Sequence, residues 1–183
     1  MASGKRLAAA RGAWICFQDE AGQTLRPPKA KTWARRGRTP VVGVSGKGSG
    51  RVSIAGLVCL KHGQRGRFVW RTITHRGRKG ERSSFSETDY AALLDQVHQR
   101  LGAPIILVWD NLNTHVSAAM RTLIAARDWL TVVRLPAYAP DLNPTEGAWA
   151  HLKRGLGNLA VRGVEHLAQV VKQRLRHIQR EPD

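Results

Sequence analysis

Three acidic residues stand at points where the expected secondary structure changes. Asp19 directly follows a short apolar run, A-W-I-C-F, and Asp110 directly follows another, I-I-L-V-W. Glu146 lies in the first turn of a helix that an N-P dipeptide introduces. Carboxylate oxygens are the ligands that hard cations such as Mg²⁺ and Mn²⁺ prefer. If the three acids face one point, they can hold one or two ions of the kind that catalyse phosphoryl transfer.

Each of these acids also has a simpler interpretation. Asp19 is compatible with a turn after a strand, and the adjacent Glu20 is an alternative ligand. Asp110 and Asn111 together are compatible with a plain turn at a strand exit. These alternatives stay open when each residue is considered by itself.

The simplest interpretation of Glu146 is structural. With Asn143 as the N-cap and Pro144 at the first helical position, Glu146 stands at the third, where a glutamate often completes a capping box. Asp141, just before this pair, is expected to be a turn former. Only the arrangement of the three acids along the chain favours a metal site over these local roles.

The charge of the chain points to a polyanionic partner. Its 183 residues carry 30 Lys and Arg against 13 Asp and Glu, a formal net charge of +17. Such an excess informs about partners more than about fold, and nucleic acid is the natural polyanion. A basic but otherwise unremarkable surface, or association with ribosomes, is the alternative. An apolar fraction of 42% is enough for a folded domain.

The remaining composition favours a cytoplasmic protein. Cys16 and Cys59 lie in separate apolar runs, without the close spacing of a zinc site or a disulfide framework, and are expected to be buried and reduced. No apolar stretch approaches the roughly 18 residues that cross a bilayer. The first residues are basic and alanine-rich and lack the apolar core of a secretion signal.

The elements that must position the acids form an α/β pattern. The first half predicts consecutive strands at Ala13–Phe17, with Gly22 ending the element, and then at Val41–Ser45, Val52–Leu60 and Arg67–Thr74. The second half alternates helices with strands. It predicts a helix from a Ser86 cap to Leu101, a strand at Ile105–Trp109, a helix through Val116 and Ile124, a strand at Leu130–Leu135, a helix from Pro144 to about Arg154, and a final amphipathic helix from Val164 to Ile178.

This order predicts one mixed sheet. Consecutive strands pair as an antiparallel meander, whereas strands separated by helices add in parallel, so helices flank the sheet. Because functional groups in α/β sheets gather at the carboxyl ends of strands, the acids are expected to meet at one edge, close enough to share ions.

Four segments together resemble a known family. They are F-Q-D-E-A-G (17–22), T-W-A-R-R-G (32–37), W-D-N-L-N-T-H (109–115) and Y-A-P-D-L-N-P-T-E-G-A-W (138–149). In this order they resemble the catalytic core of the mariner-like superfamily of DDE transposases, in particular its bacterial insertion-sequence branch. The resemblance extends from Ala13 to about Leu175, which is nearly the whole chain.

The resemblance implies a ribonuclease-H-like fold and a metal-dependent DNA endonuclease and strand transferase. It implies that Asp19, Asp110 and Glu146 hold Mg²⁺ or Mn²⁺, with two ions expected, and that Asn111 and His115 support them by orienting Asp110 or contacting phosphate. The activity implied is cleavage of DNA at transposon ends and joining of the freed end to target DNA. The alternatives are a non-catalytic or truncated DNA-binding relative and a ribonuclease-H-like nuclease.

Two basic loops are the candidate DNA contacts. Cations contact phosphates without regard to sequence, and an aromatic ring among them can stack on a base. Trp33 is such a ring, although we expect it to be packed as a core plug. The first loop contributes Lys29, Lys31, Arg35, Arg36 and Arg38, and the second contributes Arg76, Arg78, Lys79 and Arg82.

The resemblance also predicts partners. Residues 13–183 are expected to form the catalytic domain, preceded by a basic extension, 1–12, that is too short for a helix-turn-helix. Relatives of this kind usually carry such a module, so a separate or frameshift-fused helix-turn-helix subunit is expected. The expected assembly is a homodimer or a higher synaptic complex on DNA, in the bacterial cytoplasm at the nucleoid and away from membranes.

Overall fold

Five strands form a single mixed sheet in the order β3-β2-β1-β4-β5. The structure is a computed structural model that describes residues 11–41, 43, 50–136 and 140–180. The strands β1, β2 and β3 pair antiparallel, and β4 and β5 then add in parallel on the other side of β1. The strand bounds are β1 Trp14–Thr24, β2 Arg51–Leu60, β3 Arg67–His75, β4 Ile105–Trp109 and β5 Leu130–Arg134. This is the meander with added parallel strands that the sequence predicts.

Helices cover both faces of the sheet. One face packs against the first long helix in a core that includes Leu57, Tyr90 and Leu107, and the other packs against the last two helices in a core that includes Ile54 and Trp149. The helix bounds are α1 Glu87–Leu101, α2 Asn113–Val116, α3 Ala118–Ala125, α4 Thr145–Gly155 and α5 Val164–Arg180, with a 3-10 turn at Pro140–Leu142. The predicted α/β class, with flanking helices, is confirmed.

The first long helix begins and ends where its local signals indicate. The Ser86 side chain accepts from the backbone of Asp89, whose carboxylate bonds back to the backbone of Ser86, which completes a capping box. Gly102 ends the helix with φ of 61°, a left-handed conformation that glycine adopts without strain. Both boundaries of α1 are therefore determined by short sequence motifs.

The first strand is longer than the apolar run predicts. It continues from Trp14 to Thr24, so Asp19 and Glu20 lie within it and Gly22 does not end it. The reason is tertiary: β2 supplies a partner for every residue of this extension, with Asp19 opposite Gly56 and Gly22 opposite Ser53. Adjacent strand residues point to opposite faces, so Asp19 and Glu20 face different sides of the sheet.

The segment after β4 is two helices where one is predicted. Ser117 adopts an extended conformation between α2 and α3, and its side chain accepts from the backbone N–H of Met120. A serine that caps a new helix competes with continuation of the previous one, which explains the break. All five residues of β4 are buried, as their continuous apolar character predicts.

Some predictions fall on residues that the structure does not describe. The strand predicted at Val41–Ser45 lies largely outside the described residues; Val41 and Gly43 are described and belong to no strand. The basic extension, residues 1–12, is described only at Arg11 and Gly12. Cys16 and Cys59 are buried and form no disulfide, as expected. Among the described helices, none is long and apolar enough to cross a membrane.

Candidate active site

The strand register brings two of the acids to one place. The parallel pairs between β1 and β4 run from Trp14 opposite Ile105 to Phe17 opposite Val108. Continuing this register by two residues places Asp110, just past the carboxyl end of β4, level with Asp19 in the middle of β1. The sheet therefore puts these two acids on neighbouring strands at the same level, although only Asp110 lies at a strand end.

The third acid arrives with α4, whose first turn is bound to β1. The buried Thr145 donates its hydroxyl to the carbonyl of Phe17 at 2.9 Å, and the Asn143 side chain donates to the carbonyl of Gln18 at 3.3 Å. Glu146 follows Thr145 directly. The side chains that dock this turn therefore bring Glu146 to the part of β1 that carries Asp19.

The capping interpretation of Glu146 is not supported. The helix begins one residue later than predicted, with Pro144 and not Asn143 as its N-cap, although the Asn143 side chain accepts from the backbone N–H of Thr145 at 3.1 Å. Glu146 is exposed, and its carboxylate has no hydrogen-bond partner in the described part of the chain. A completed capping box would tie that carboxylate to the backbone of Asn143. Its carboxylate is thus available for a ligand.

Asp19 is held by an indole. The Nε1 of Trp149 donates to Oδ2 of Asp19 at 2.9 Å, across 130 residues of sequence. Burial raises the pKa of Asp19, the hydrogen bonds from Trp149 and the Glu20 backbone oppose this, and the negative charges of Glu146 and Asp110 raise it further. Asp19 therefore lies close enough to both Glu146 and Asp110 for their charges to act on it.

Asp110 is held by an imidazole. Its Oδ1 accepts from Nδ1 of His115 at 2.9 Å and from the backbone N–H of Leu112 at 3.1 Å. His115 is buried and stacks on Trp109, with ring centroids 4.1 Å apart and planes 4° apart. Burial lowers the pKa of His115 although the charge of Asp110 opposes it, so the ring is a neutral N–H donor near neutral pH. The orienting role expected for His115 has a geometric basis.

Asn111 has a different contact from the one expected. Its side-chain amide donates to the carbonyl of Leu135 at 3.3 Å and makes no hydrogen bond to Asp110 among the described residues. It therefore ties the end of β4 to the end of β5, and a phosphate contact for Asn111 stays a prediction. Asp141 is exposed in the 3-10 turn, consistent with the turn role expected for it.

Glu20, the alternative first ligand, lies on the opposite face of the sheet. Ser84 donates to its Oε2 at 3.3 Å, and its Oε1 is buried without a partner in the described residues. Burial raises the pKa of Glu20, Ser84 opposes this, and the charges of Asp110 and Asp19 raise it further. Asp19 faces the helix that carries Glu146, where Trp149 donates to it, and is therefore the better partner for that acid.

The donor set fits a hard divalent cation, although the acids do not form a closed ligand cluster. Within the described ranges, no group of three or more His, Cys, Asp or Glu side chains is arranged to hold a metal ion. Asp19 and Asp110 each accept a hydrogen bond from a ring N–H of the protein, that of Trp149 and that of His115. The close convergence of the three carboxylates expected from the sequence is therefore not seen as a ligand cluster in the described residues, and their shared role in metal binding stays a prediction. All three groups offer carboxylate oxygen, the ligand type of Mg²⁺ and Mn²⁺.

The first basic loop is exposed. The side chains of Lys31, Arg35, Arg36 and Arg38 are exposed and make no hydrogen bond or ion pair within the described residues. The expectation that Trp33 is a core plug is wrong, because its side chain is 99% exposed. The segment around Trp33 runs without regular structure, so no helix or strand carries the ring to the core.

The second basic loop is partly committed to the fold. The Glu81 carboxylate accepts from the backbone N–H groups of Arg76, Gly77 and Arg78, and the Arg76 side chain pairs with Glu165 at 2.7 Å. Arg82 pairs with the buried carboxylate of Asp89 at 2.7 Å. Arg78 and Lys79 are exposed, with side chains that make no ion pair in the described part. A DNA contact by Arg82 would therefore compete with a contact that stabilises α1.

The sequence pattern indicates no role for Trp149, although this residue ends the family-like segment 138–149. The available signal was its spacing, because residues three apart in a helix share a face, and Trp149 stands three residues after Glu146. Its contact with Asp19 depends on how α4 docks on β1, which the sequence pattern does not specify.

The fold is shared with solved transposase and integrase assemblies. The mariner Mos1 paired-end complex with Mg matches with a TM-score of 0.61 at 17% identity, covering 92% of this chain and 48% of that one. The Mos1 transposase paired-end complex with the left transposon end matches with a TM-score of 0.60 at 16% identity, covering 88% and 47%. The simian T-cell lymphotropic virus intasome, in complex with the PP2A regulatory subunit B56 gamma, matches with a TM-score of 0.52 at 13% identity, covering 90% and 47%. These similarities show that the sheet has the ribonuclease-H-like fold.

The family is shown by a separate comparison. The chain spans about half the length of the solved chains just described. No curated protein matches it. The family model described as DDE superfamily endonuclease matches residues 14–168, which include all three candidate acids and the sheet that positions them. The chain belongs to the DDE superfamily of endonucleases.

Proposed function

We propose that this chain is the catalytic domain of a DDE transposase that cleaves DNA at transposon ends and joins the freed end to target DNA. The observation that supports the proposal is that Asp19, on β1 of a ribonuclease-H-like sheet, lies close enough to Asp110 and Glu146 for the charge of each to raise its pKa. This arrangement occurs in a chain of the DDE endonuclease superfamily. Solved relatives of the same fold are complexes with transposon ends.

Asp19, Asp110 and Glu146 are the residues proposed to hold Mg²⁺ or Mn²⁺. Solved Mos1 complexes contain Mg and Mn, which supports a divalent cation, and two ions is our finer proposal. Bound between carboxylates, such ions activate a water or hydroxyl and stabilise the leaving oxygen of a phosphodiester. The exposed Glu146 side chain, without a partner in the described residues, is free to rotate toward the other two acids.

The remaining side chains orient the acids and bind the substrate. Trp149 and His115 each donate one N–H to an acid and so restrict how that carboxylate rotates. The first basic loop presents cations and the exposed ring of Trp33, which suits contact with phosphates and a splayed base. We propose the same partner for Arg78 and Lys79 in the second loop.

The proposed assembly is multimeric. Solved structures of this fold include paired-end complexes and an intasome, which supports a dimer or larger synaptic complex on DNA. A helix-turn-helix subunit that reads the terminal repeats, and a place of action at the bacterial nucleoid, are further parts of the proposal.

The test is a cleavage and joining assay on DNA. The substrate is a labelled duplex carrying candidate transposon ends, with a scrambled duplex of equal length as the control. We expect nicking and joined products that need Mg²⁺ or Mn²⁺ and disappear with a chelator. Binding without metal-dependent cleavage would contradict the proposal and favour a non-catalytic DNA-binding protein. Cleavage that is indifferent to the repeats and yields no joined product would favour a nuclease.

A further inference from the structure

Trp149 is built into the fold in a way that directs its N–H at Asp19. It lies on α4 with only 2% of its surface exposed, and its Nε1 donates to Oδ2 of Asp19 at 2.9 Å. Glu146 stands three residues earlier on the same helix, and residues at this spacing share a helix face. One turn of α4 thus carries Glu146, a candidate metal ligand, and Trp149, which donates a hydrogen bond to a second candidate ligand, Asp19.

The indole ring of Trp149 packs against β2, the strand that pairs with β1 at Asp19. Gly56 pairs with Asp19 across β1 and β2, and a Cβ on Gly56 would lie 2.6 Å from Cη2 of Trp149. Phe68 on β3 packs edge-on against the ring, with centroids 6.0 Å apart and planes at 75°. Glycine at this position lets the ring lie against the sheet. The ring is therefore packed between the backbone of β2 and the Phe68 side chain.

We propose that Trp149 is a positioning residue that fixes the Asp19 carboxylate for cation binding. It anchors Oδ2 and leaves Oδ1 without a side-chain partner among the described residues. A hydrogen bond to a ligand's second oxygen restricts carboxylate rotation, and loss of such outer partners typically weakens metal affinity about 10- to 100-fold. This inference rests on the proposed function, since it assumes that Asp19 binds the cation.

The choice of donor suits that role. The chain carries 30 Lys and Arg, yet the side chain that bonds to Asp19 is an uncharged indole. A guanidinium in that place would neutralise the carboxylate and repel a cation. A neutral N–H orients the oxygen and leaves its negative charge available to a cation.

The chain offers a matched control in Trp70. It lies on β3, packs against the same core cluster as Trp149, and its indole N–H has no partner within the described residues. Trp→Phe removes the same atoms at both positions, whereas only W149F removes a hydrogen bond to an acid.

The first measurement is the affinity for Mn²⁺ alone, from the free-ion electron paramagnetic resonance signal in a titration of the full chain. We expect W149F to weaken binding about tenfold or more and W70F to change it by less than about twofold. Equal affinities for W149F and W70F, with the wild type binding Mn²⁺, would overturn the inference and leave the proposed function standing. A wild type that binds no more tightly than D110N would instead refute the metal site itself.

The second measurement needs no metal. The chain has six Trp, so a proton–nitrogen correlation spectrum resolves at most six indole N–H resonances. We expect D19A to shift the Trp149 resonance, assigned from its absence in W149F, and to leave the Trp70 resonance in place. If W149F does not fold, the Trp149 resonance is assigned as the indole signal that D19A displaces and that is still present in W70F. No indole resonance displaced by D19A would overturn the inference.

Discussion

The acids at the edge of the sheet and those on α1 are held by donors of opposite electrical character. Asp19 and Asp110 accept from neutral ring N–H groups, whereas Asp89 and Asp95 accept from guanidinium groups. The pKa of Asp19 is raised, mainly by burial. The pKa of Asp95 is lowered, mainly by hydrogen bonds from its arginine; that of Asp89 is also lowered, because its hydrogen bonds outweigh the effect of burial. The donors are Trp149 and His115 at the edge, and Arg82 and Arg127 at α1.

The difference separates two uses of a carboxylate. A cationic partner favours the charged form, neutralises it and stabilises the fold. A neutral donor orients the carboxylate and leaves its charge for a ligand, at the expense of repulsion between neighbouring acids. The chain has a net charge of +17, yet the acids at the edge of the sheet have no arginine partner among the described residues. These acids are therefore better candidates for a functional site than the arginine-paired acids on α1.

The largest expected effect separates the two groups by activity. We expect D110N and E146Q each to reduce metal-dependent cleavage by about a thousandfold or more, because each keeps its size and loses an anionic ligand. D95N, an equivalent change on α1, is expected to keep activity within severalfold. The measurement is the single-turnover rate of nicking, with circular dichroism to show that each variant folds. Near wild-type cleavage by E146Q would exclude it as a ligand.

The next effect concerns the ring that holds Asp110. H115F keeps a flat ring that can stack on Trp109 and removes the N–H bonded to Asp110. We expect cleavage to fall about 10- to 100-fold, the range for loss of an outer-shell partner.

The matched control is H98F. His98 also stacks on a tryptophan, Trp129, at 4.0 Å between centroids, but its Nδ1 contacts a backbone carbonyl and no acid. Comparable loss of cleavage in both variants, measured at equal folded fraction, would show that stacking and not orientation of Asp110 is responsible.

A third effect concerns the free energy of unfolding, which is expected to fall when an acid on α1 is neutralised but not when Asp19 at the sheet edge is neutralised. D89N removes a capping carboxylate bonded to Ser86 and Arg82, so we expect the free energy of unfolding to fall by about 1–2 kcal/mol at neutral pH. D19N removes a charge that is repelled by Glu146 and Asp110, so we expect no loss, or a gain, in metal-free protein. Urea unfolding of both variants checks this. A decrease in the free energy of unfolding for D19N as large as that for D89N would show that Asp19 stabilises the fold in the same way as Asp89.

The same contrast has a pH dependence with a defined sign. The pKa of Asp89 is lowered in the folded chain, so its contribution is present above its unfolded pKa, about 3.9, and is lost as pH falls through the folded value. The stability difference between wild type and D89N is therefore expected to shrink toward zero as the pH falls below the unfolded pKa and through the lower folded one. Unfolding curves at neutral and acid pH test it, and a difference that persists unchanged would assign the effect to packing.

The smallest expected effect compares free and paired arginines. R35Q combined with R36Q removes two exposed, unpaired cations, and we expect severalfold weaker DNA binding with a salt dependence reduced by about one to two ions. R82Q is expected to lose stability through Asp89 and to change the salt dependence less. Binding titrations at several salt concentrations measure both. An equal change in R82Q would show that Arg82 leaves Asp89 to contact DNA.

The sequence by itself determined the parts that depend on a few neighbouring residues. The continuous apolar run of β4 predicts a buried strand ending just before Asp110, and Ser86 with Asp89 predicts where α1 begins. A strand buried on both faces and a capping box each have a sequence signal shorter than about ten residues. The family motifs and the net charge are likewise properties of the chain itself, and they indicated the DDE superfamily and a polyanionic partner.

Only the tertiary structure decided which side chains meet. β1 extends through Asp19 because β2 pairs with it, and that pairing lies outside any local pattern. The contact of Trp149 with Asp19 joins residues 130 apart and depends on how α4 docks, while the exposure of Trp33 depends on the course of an irregular loop. Side-chain pairings of this kind follow from the order of strands and the packing of helices. Local apolar periodicity indicates which residues face a core, but it does not indicate which side chains they contact there.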